Sequence, residues 1–489
     1  MVPIHWLRTQ RVAAVCAAHT GWLALVLALL LSHGAASAGR IAAGAYNAYV
    51  VDADGTVWAW GANLYGQLCD GTTEHRFIPS RLPGLAGVAD VSAGGSHGLA
   101  RKLDGSLVAW GLNNTDSSGR GAGQLGDGTR INRATPVAVL SAGAHLHVVA
   151  GAYHSLAINA NGSLTGWGYN QQGQVGDASA QSRETPVAVA GATGVVAVAA
   201  GCLHSLALKS DGTALAWGFN STGQLGDGTS TDRLAPVAVA GLDNIAALGA
   251  GCAHSVALKK DGTVWAWGFN LDGQLGSSSA GLVQRSPKQV PGLSGITAIA
   301  VGNHHNLALA GDGRVWSWGK NDQGQLGDGG TSGRSAVAVV QGLNAVSELA
   351  AGQNFALALA SAGEVYAWGQ NDFGQLGSGT SQSSAVPVAV KSADGSVFRV
   401  GSTPSSGLNA EADRVFAWAE RTYPDHFSPS GVATVDTVAG YRLRAYSASG
   451  SYLGVNTIGT PHLYYLGPVS NQSVLDLDVL SIWLTLAGP

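Results

Sequence analysis

Five histidines and three cysteines are the residues whose chemistry could amount to a site, and their spacing decides what each can do. His97, His154, His204, His254 and His305 recur about every 50 residues. A metal needs donors that converge tetrahedrally. Residues spaced by a whole structural unit instead sit at equivalent points of successive units, on a ring. The expectation is a buried, hydrogen-bonded histidine in each unit, with Asn47 and Phe355 at the matching place in the first and last units. No metal and no cofactor is expected. Cys202 and Cys252 also share one place in adjacent units, whereas Cys69 stands elsewhere in its repeat and Cys16 lies in the apolar N-terminal segment. On an innermost strand such neighbours should lie about 6–8 Å apart, touching only the upper edge of disulfide geometry. Two readings are open: a bridge between units, or, favoured by that spacing, two small apolar residues lining a channel as Ala45 and Ala152 would. Cys69 is unpaired under both.

Asp127, Asp177, Asp227 and Asp328 follow glycines in a way that superficially suggests calcium loops, but no alternating series of oxygen ligands surrounds them. They are read as turn residues. The chain has no Gly-x-Ser-x-Gly, His-Glu-x-x-His, Cys-x-x-Cys or phosphate-cradling Gly-Lys-Ser/Thr pattern. No catalytic residue is assigned, and the chain is expected not to be an enzyme.

What positions these columns is a repeat. Trp-Gly pairs begin at Trp60, Trp110, Trp167, Trp217, Trp267, Trp318 and Trp368, with spacings of 50, 57, 50, 50, 51 and 50. The one long spacing marks an insertion at Asn113 to Arg120. Before each tryptophan runs a hairpin, as in Leu206-Ala-Leu208, Asp211-Gly212 and Leu215-Ala-Trp217, where apolar residues alternate and Asp-Gly supplies the turn. After it comes Gly-Gln-Leu-Gly or a near copy, with Cys69 replacing the final glycine in the first unit. Pro136, Pro186, Pro236 and Pro387 then begin Pro-Val strands, which proline consigns to an outer sheet edge. Four short strands per unit cannot bury two faces alone, so seven sheets should pack around an axis as a propeller. The tryptophans are expected as packing between blades. Pro387 to Val390 reads as a surplus strand that completes the first sheet and closes the ring.

Together, Gly-x-x-His-Ser-Leu-Ala-Leu, Asp-Gly, Trp-Gly and Gly-Gln-Leu-Gly resemble the repeat of the regulator of chromosome condensation family, over about residues 41 to 390. The resemblance implies an all-β, seven-bladed propeller. It also implies a range of functions: nucleotide exchange factors, photoreceptors, ubiquitin-ligase parts and enzyme inhibitors. Fold alone does not choose among them. Plant UV-B photoreceptors resembling this fold carry tryptophan at the residue after the conserved glycine of the histidine motif. Here that place holds Ala45, Gly95, Ala152, Cys202, Cys252, Asn303 and Gln353, so a photoreceptor is not expected.

Positions that vary between repeats are those the fold does not dictate. The residues before each histidine place should cluster at one mouth of the channel, and Tyr46, Tyr153, Cys202, Cys252, Asn303, His304 and Gln353 are the candidate partner-binding set. Secreted propellers of this repeat type include β-lactamase inhibitors that present exposed aromatics on one face. Whether Tyr46, Tyr65, Tyr153, Tyr169, Phe219, Phe269 and Phe373 share a face would therefore separate that reading from a general recognition scaffold. Exchange-factor activity on a GTPase is the least favoured, for want of a basic tail or a wedge-like insertion.

Of the 489 residues, 71 are glycine and 11% are charged, with a formal net charge of -4. That leaves no basic field for nucleic acid. Arg8 and Arg11, the apolar run Trp22 to Leu31, and Ala36-Ser-Ala38 read as a cleaved signal peptide, residues 1–38. No second long apolar segment follows, so no membrane span is expected after cleavage, and the mature protein should be secreted or periplasmic. The propeller is placed at 39–395, a Ser/Gly-rich linker at 396–408, and a small α+β module at 409–489. That module should contain a helix capped by Asn409 and ended by Pro424, then strands near Tyr441–Tyr446, Tyr452–Val455 and His462–Leu466. The partner is expected to be a protein or a cell-envelope component.

Overall fold

A computed structural model describes residues 41–114, 122–278, 281–401 and the strand residues 434–438, 442–446 and 452–457. Seven four-stranded antiparallel sheets form, each from strands consecutive in the chain. Blade 1 consists of Ile41–Ala43, Asn47–Val51, Val57–Gly61 and Arg76–Arg81, and blade 7 of Val346–Ala351, Phe355–Ala360, Val365–Gly369 and Ser384–Ala389. The first strand of each blade lines the central channel, and the fourth, bearing the prolines, is the outer edge. The fold is all-β, as expected; the helix expected after Asn409, the signal peptide and the strand at His462–Leu466 lie outside the described residues. In the C-terminal module, Thr434–Val438, Arg442–Tyr446 and Tyr452–Thr457 pair as one antiparallel sheet.

Ring closure differs from the expectation. Ser384–Ala389 pairs with Val365–Gly369 and stays in blade 7. Blade 1 owns its fourth strand, Arg76–Arg81, in which Pro79 stands where Pro136 stands in blade 2. Ser80 and Arg81 replace the apolar partners of that proline, and so hid the strand. The residues following blade 7 act as a clasp. A short turn at Ser392–Ser396 brings Phe398 edge-on to Trp58 and Trp60 of blade 1, at ring-centroid distances of 5.5 and 6.1 Å. Its backbone donates to Val390 O at 2.8 Å, and Arg399 pairs with Glu364 of blade 7 at 2.7 Å. The compact propeller unit thus reaches Arg399, into the stretch expected to be linker.

The seven tryptophans are fully buried. Each indole N–H donates to the carbonyl of the Gly-Gln glutamine in the preceding blade, from Trp110 onto Gln67 (2.9 Å) round to Trp60 onto Gln375 (3.0 Å). One repeated bond therefore circles the ring, and burying so large an aromatic at each interface stabilises the packing of blade on blade.

The histidine column is likewise buried, but only four of its five members are hydrogen-bonded as expected: His305 is not, because Ala356 stands where the next blade would supply the serine. Nε2 of His97, His154 and His204 meets the hydroxyl of Ser155, Ser205 and Ser255 in the next blade at 2.8–3.0 Å, and His254 meets Asn306 Oδ1 at 2.8 Å. Each of those serines donates its own proton to a glutamine carbonyl at 2.8 Å. The serine must then accept from the imidazole, which fixes the proton on Nε2 and leaves Nδ1 bare. Burial holds the pKa of His97, His154, His204 and His305 down at about 3 and that of His254 at about 4, where the bond to Asn306 offsets part of the effect.

The Asp-Gly turns depart slightly from a two-residue hairpin. Gly212 has φ +81° while Asp211 is not left-handed; Asp211 instead accepts from the N–H and hydroxyl of Thr213. This is the three-residue turn with a bulge. The Gly-Asp aspartates are turn residues too. Asp227 accepts from Asn220 (3.2 Å), Thr229 (2.7 Å) and Arg233 (2.7 Å), so its oxygens are taken. Burial alone would raise its pKa, but these donors, Thr229 foremost, hold it below the usual carboxylate value.

Candidate functional site at the channel mouth

Where each blade's first strand turns back, the conserved glycine brings neighbouring blades into backbone contact. Ala45 N–H donates to Gly94 O (3.3 Å), Gly95 to Gly151 (3.3 Å), Ala152 to Gly201 (3.2 Å), Cys202 to Gly251 (3.3 Å), Cys252 to Asn303 (3.0 Å) and Gln353 to Ala45 (3.3 Å). A Cβ on Gly44 would lie 2.6 Å from Gly94 O, so only glycine permits this approach. These main-chain hydrogen bonds frame the mouth at six of the seven junctions between blades.

That narrowing corrects the expectation for the cysteines. Cys202 and Cys252 are disulfide-bonded, with Cα atoms 4.6 Å apart rather than the wider spacing anticipated. A uniform ring of strands predicts the wider value; the converging backbone places them within ordinary disulfide reach. Cys69 is unpaired and fully buried, and burial pushes its thiol pKa up.

Around this ring lies one cavity of about 780 Å³. All seven candidate residues line it: Tyr46, Tyr153, Cys202, Cys252, Asn303, His304 and Gln353. Tyr65, Phe219 and Phe373 join them, so five of the seven aromatics considered share one face. Tyr46 packs edge-on against Phe373 (5.3 Å), and Tyr169 supports Tyr153 (6.3 Å) without lining the cavity. Phe269 is not part of it. Below the mouth the walls are small and aliphatic, including Ala93, Val149, Val198, Leu248 and Ile299.

Among the described residues, no Asp, Glu, Lys or Arg lines the cavity. His304 is the one basic side chain among the described lining residues; burial lowers its pKa, with Asp272 (3.6 Å away) opposing and Lys320 reinforcing the shift. Leu64 and Gln67 are among the lining residues missed from sequence. Leu64 is 59% exposed directly after the loop residue Asn63, and that place varies between repeats just as the mouth positions do. Among the described residues no group of three or more His, Cys, Asp or Glu is arranged to hold a metal ion, and no helix is long and apolar enough to cross a membrane.

Seven four-stranded blades, one repeated interblade bond and an aromatic-lined vestibule define a repeat propeller whose variable residues gather at one mouth. Model matches agree with that class: an RCC1-like domain over residues 187–425, and regulator of chromosome condensation (RCC1) repeats over 54–101 and 161–208, with a second repeat model at 40–67, 88–117 and 146–174. The chain belongs to the regulator of chromosome condensation repeat family. Among curated proteins it is similar to the ultraviolet-B receptor UVR8 of Arabidopsis thaliana, 33% identical over 136 residues, which are 27% of this chain and 29% of that one. It is also similar to Protein pim1 of Schizosaccharomyces pombe, 32% identical over 142 residues, 26% of each. The chain thus spans under a third of either relative. Among solved structures, yeast RCC1 (Prp20) bound to Kap60 matches with TM-score 0.61 and 24% identity, covering 69% of this chain and 84% of that one. Human WBSCR16 matches with the same TM-score and identity, covering 69% of this chain and 94% of that one. These two structural likenesses speak to the fold.

Proposed function

We propose that this chain is an exported, non-enzymatic recognition scaffold that offers the channel mouth of its propeller to a protein or cell-envelope partner. The observation that carries the reading is the segregation of residues: the repeated histidines and tryptophans are buried, whereas the residues that differ between blades line one vestibule. A rigid frame with a variable face is what recognition requires, because pre-organised groups lose little entropy on binding. Solved relatives point to proteins as partners: yeast RCC1 (Prp20) is bound to Kap60 in one structure, and another reports the binding of Prp20p to Gsp1p and histones. Export is supported by the N-terminal basic and apolar segment and by the Cys202–Cys252 bridge, which suits an oxidising compartment.

A photo-cross-linking residue at Tyr153 should capture the partner from extracts of the native source, while the same residue at Val386, on the outer edge of blade 7, should not. Equal capture from both would overturn the mouth as the recognition face. N-terminal sequencing of the mature protein should begin after Ala38, and a chain still starting at Met1 would overturn export.

The gathering of Tyr46, Tyr65, Tyr153, Phe219 and Phe373 favours one second reading, an inhibitor that caps an enzyme's active site. Inhibition of a purified β-lactamase by the full chain, lost in Tyr46→Ala, would select it over the general scaffold. An exchange-factor role has no such observation behind it.

A further inference from the structure

The vestibule has a chemical character narrower than a general protein-docking face. Its aromatic rings, Tyr46, Tyr65, Tyr153, Phe219 and Phe373, are only partly buried. Between them stand polar groups that the described protein leaves without hydrogen-bond partners. The Tyr46 and Tyr65 hydroxyls and the Gln353 amide make no side-chain bond. The amide of Asn303 approaches only Cys202 Sγ, at 3.9 Å, and a disulfide sulfur has no proton to donate. Among the described residues, nothing with a fixed charge lines the space. The nearby carboxylates of Asp272 and Asp322 and the ammonium of Lys320 lie outside it, two of them paired with each other at 3.0 Å.

Each feature excludes a ligand class. An anion or cation would be stripped of water with no countercharge to meet it. A purely aliphatic guest would leave the amides and hydroxyls desolvated and unpaired. A guest with apolar C–H faces and many neutral hydroxyls satisfies both sets, the rings by stacking and the amides by accepting and donating. The volume, about 780 Å³, falls within the range of small-ligand sites, about 300–1,000 Å³.

We propose that the vestibule is a binding site for a neutral carbohydrate, a short uncharged oligosaccharide end held between Tyr46, Phe373 and Tyr153, with Asn303 and Gln353 reading its hydroxyls. The proposal rests on the mouth being the recognition face and names the chemistry recognised there. The main-chain ring and the disulfide hold Asn303 and the blade 4–5 rim in place before the ligand arrives, so little ordering is left to be done on binding.

The test titrates the full chain with maltotriose, cellotriose and chitotriose, using trigalacturonate as the charged control, by saturation-transfer NMR and calorimetry. At least one neutral trisaccharide should bind and trigalacturonate should not. Tyr46→Ala and Gln353→Ala should each weaken binding by about tenfold or more, with thermal melting used to confirm that the variants fold. Phe269→Ala, outside the cavity, should leave affinity unchanged. No saturation transfer from any neutral trisaccharide, equal binding of trigalacturonate, or indifference to Tyr46→Ala and Gln353→Ala would each overturn the proposal. If cross-linking from Tyr153 captures a protein while no sugar binds, the carbohydrate inference falls and the recognition face stands. If both fail, the mouth itself is the wrong site.

Discussion

The proton on Nε2 of His97, His154 and His204 is committed to a serine of the next blade, and Nδ1 faces no acceptor, so a second proton would bring a buried charge with nothing to pair it. The folded pKa values near 3 lie well below about 6.5 for an unfolded histidine. The sign follows: above about pH 6.5 the contribution is complete, and stability is lost as pH falls from there towards 3, because the unfolded chain binds protons that the fold refuses. Denaturant unfolding should therefore weaken steadily between pH 7 and pH 4.5. His204→Asn, which installs the residue blade 1 carries as Asn47, should flatten that dependence by up to about 1.4 kcal/mol per pH unit. An unchanged slope would show that His204 titrates in the fold.

At the scale of elements, blade 1 meets blade 2 by a different solution from its neighbours. Gly98 stands where blade 3 has Ser155, and the Trp110 indole lies so close over it that a Cβ would overlap the ring. The Tyr49 hydroxyl takes the missing serine's role: it donates to Gln67 O and accepts from Trp110 Nε1 at 3.1 Å. In blade 2, by contrast, a Cβ on Gly126 would lie 2.8 Å from the Trp167 indole, whereas Cys69, at φ +56°, fills the corresponding place in blade 1. The displaced indole accounts for both changes. Gly98→Ser alone should cost roughly 1–3 kcal/mol by overpacking. Adding Cys69→Gly and Tyr49→Leu, to match the other blades, should restore most of it in urea unfolding; a triple variant no better than the single one would show the three sites to be independent. This variation explains what was and was not legible in the sequence. The period, the hairpins, the buried columns and the cluster at the mouth follow from residues repeated in register. The fourth strand of blade 1 was hidden because Ser80 and Arg81 break the pattern. The clasp was hidden because Phe398 belongs to no repeat, and the disulfide because ring convergence is a property of backbones that spacing does not encode.

At the scale of the whole molecule, the ring depends on a few contacts at its seam. Phe355 and Ala48 replace the histidine and serine between blades 7 and 1, so the polar relay is absent there and Phe398 covers the joint. A chain ending after Gly401 should unfold cooperatively. One ending after Ser396 should lose about 3 kcal/mol, the low end of the loss for deleting a buried phenylalanine; equal melting temperatures for the two would remove Phe398 from the closure. On the far side of the ring, reducing the Cys202–Cys252 bridge, which spans 50 residues, should destabilise by about 4 kcal/mol in the chain-entropy account. Peptide mapping without reductant should find that pair linked and Cys69 free.

Because blades 1 and 7 share no strand, no sheet is assembled from two distant stretches of the chain. Each blade is covalently complete, so a gene encoding one could be copied or deleted as a whole, without rematching a split sheet. The break in the polypeptide could also move. A circular permutant that opens at Val88 and joins Arg399 to Ile41 through a flexible linker should fold to the same propeller, with its mouth intact. The residues at the mouth can therefore be exchanged one blade at a time, each blade bringing its own pair before the histidine place.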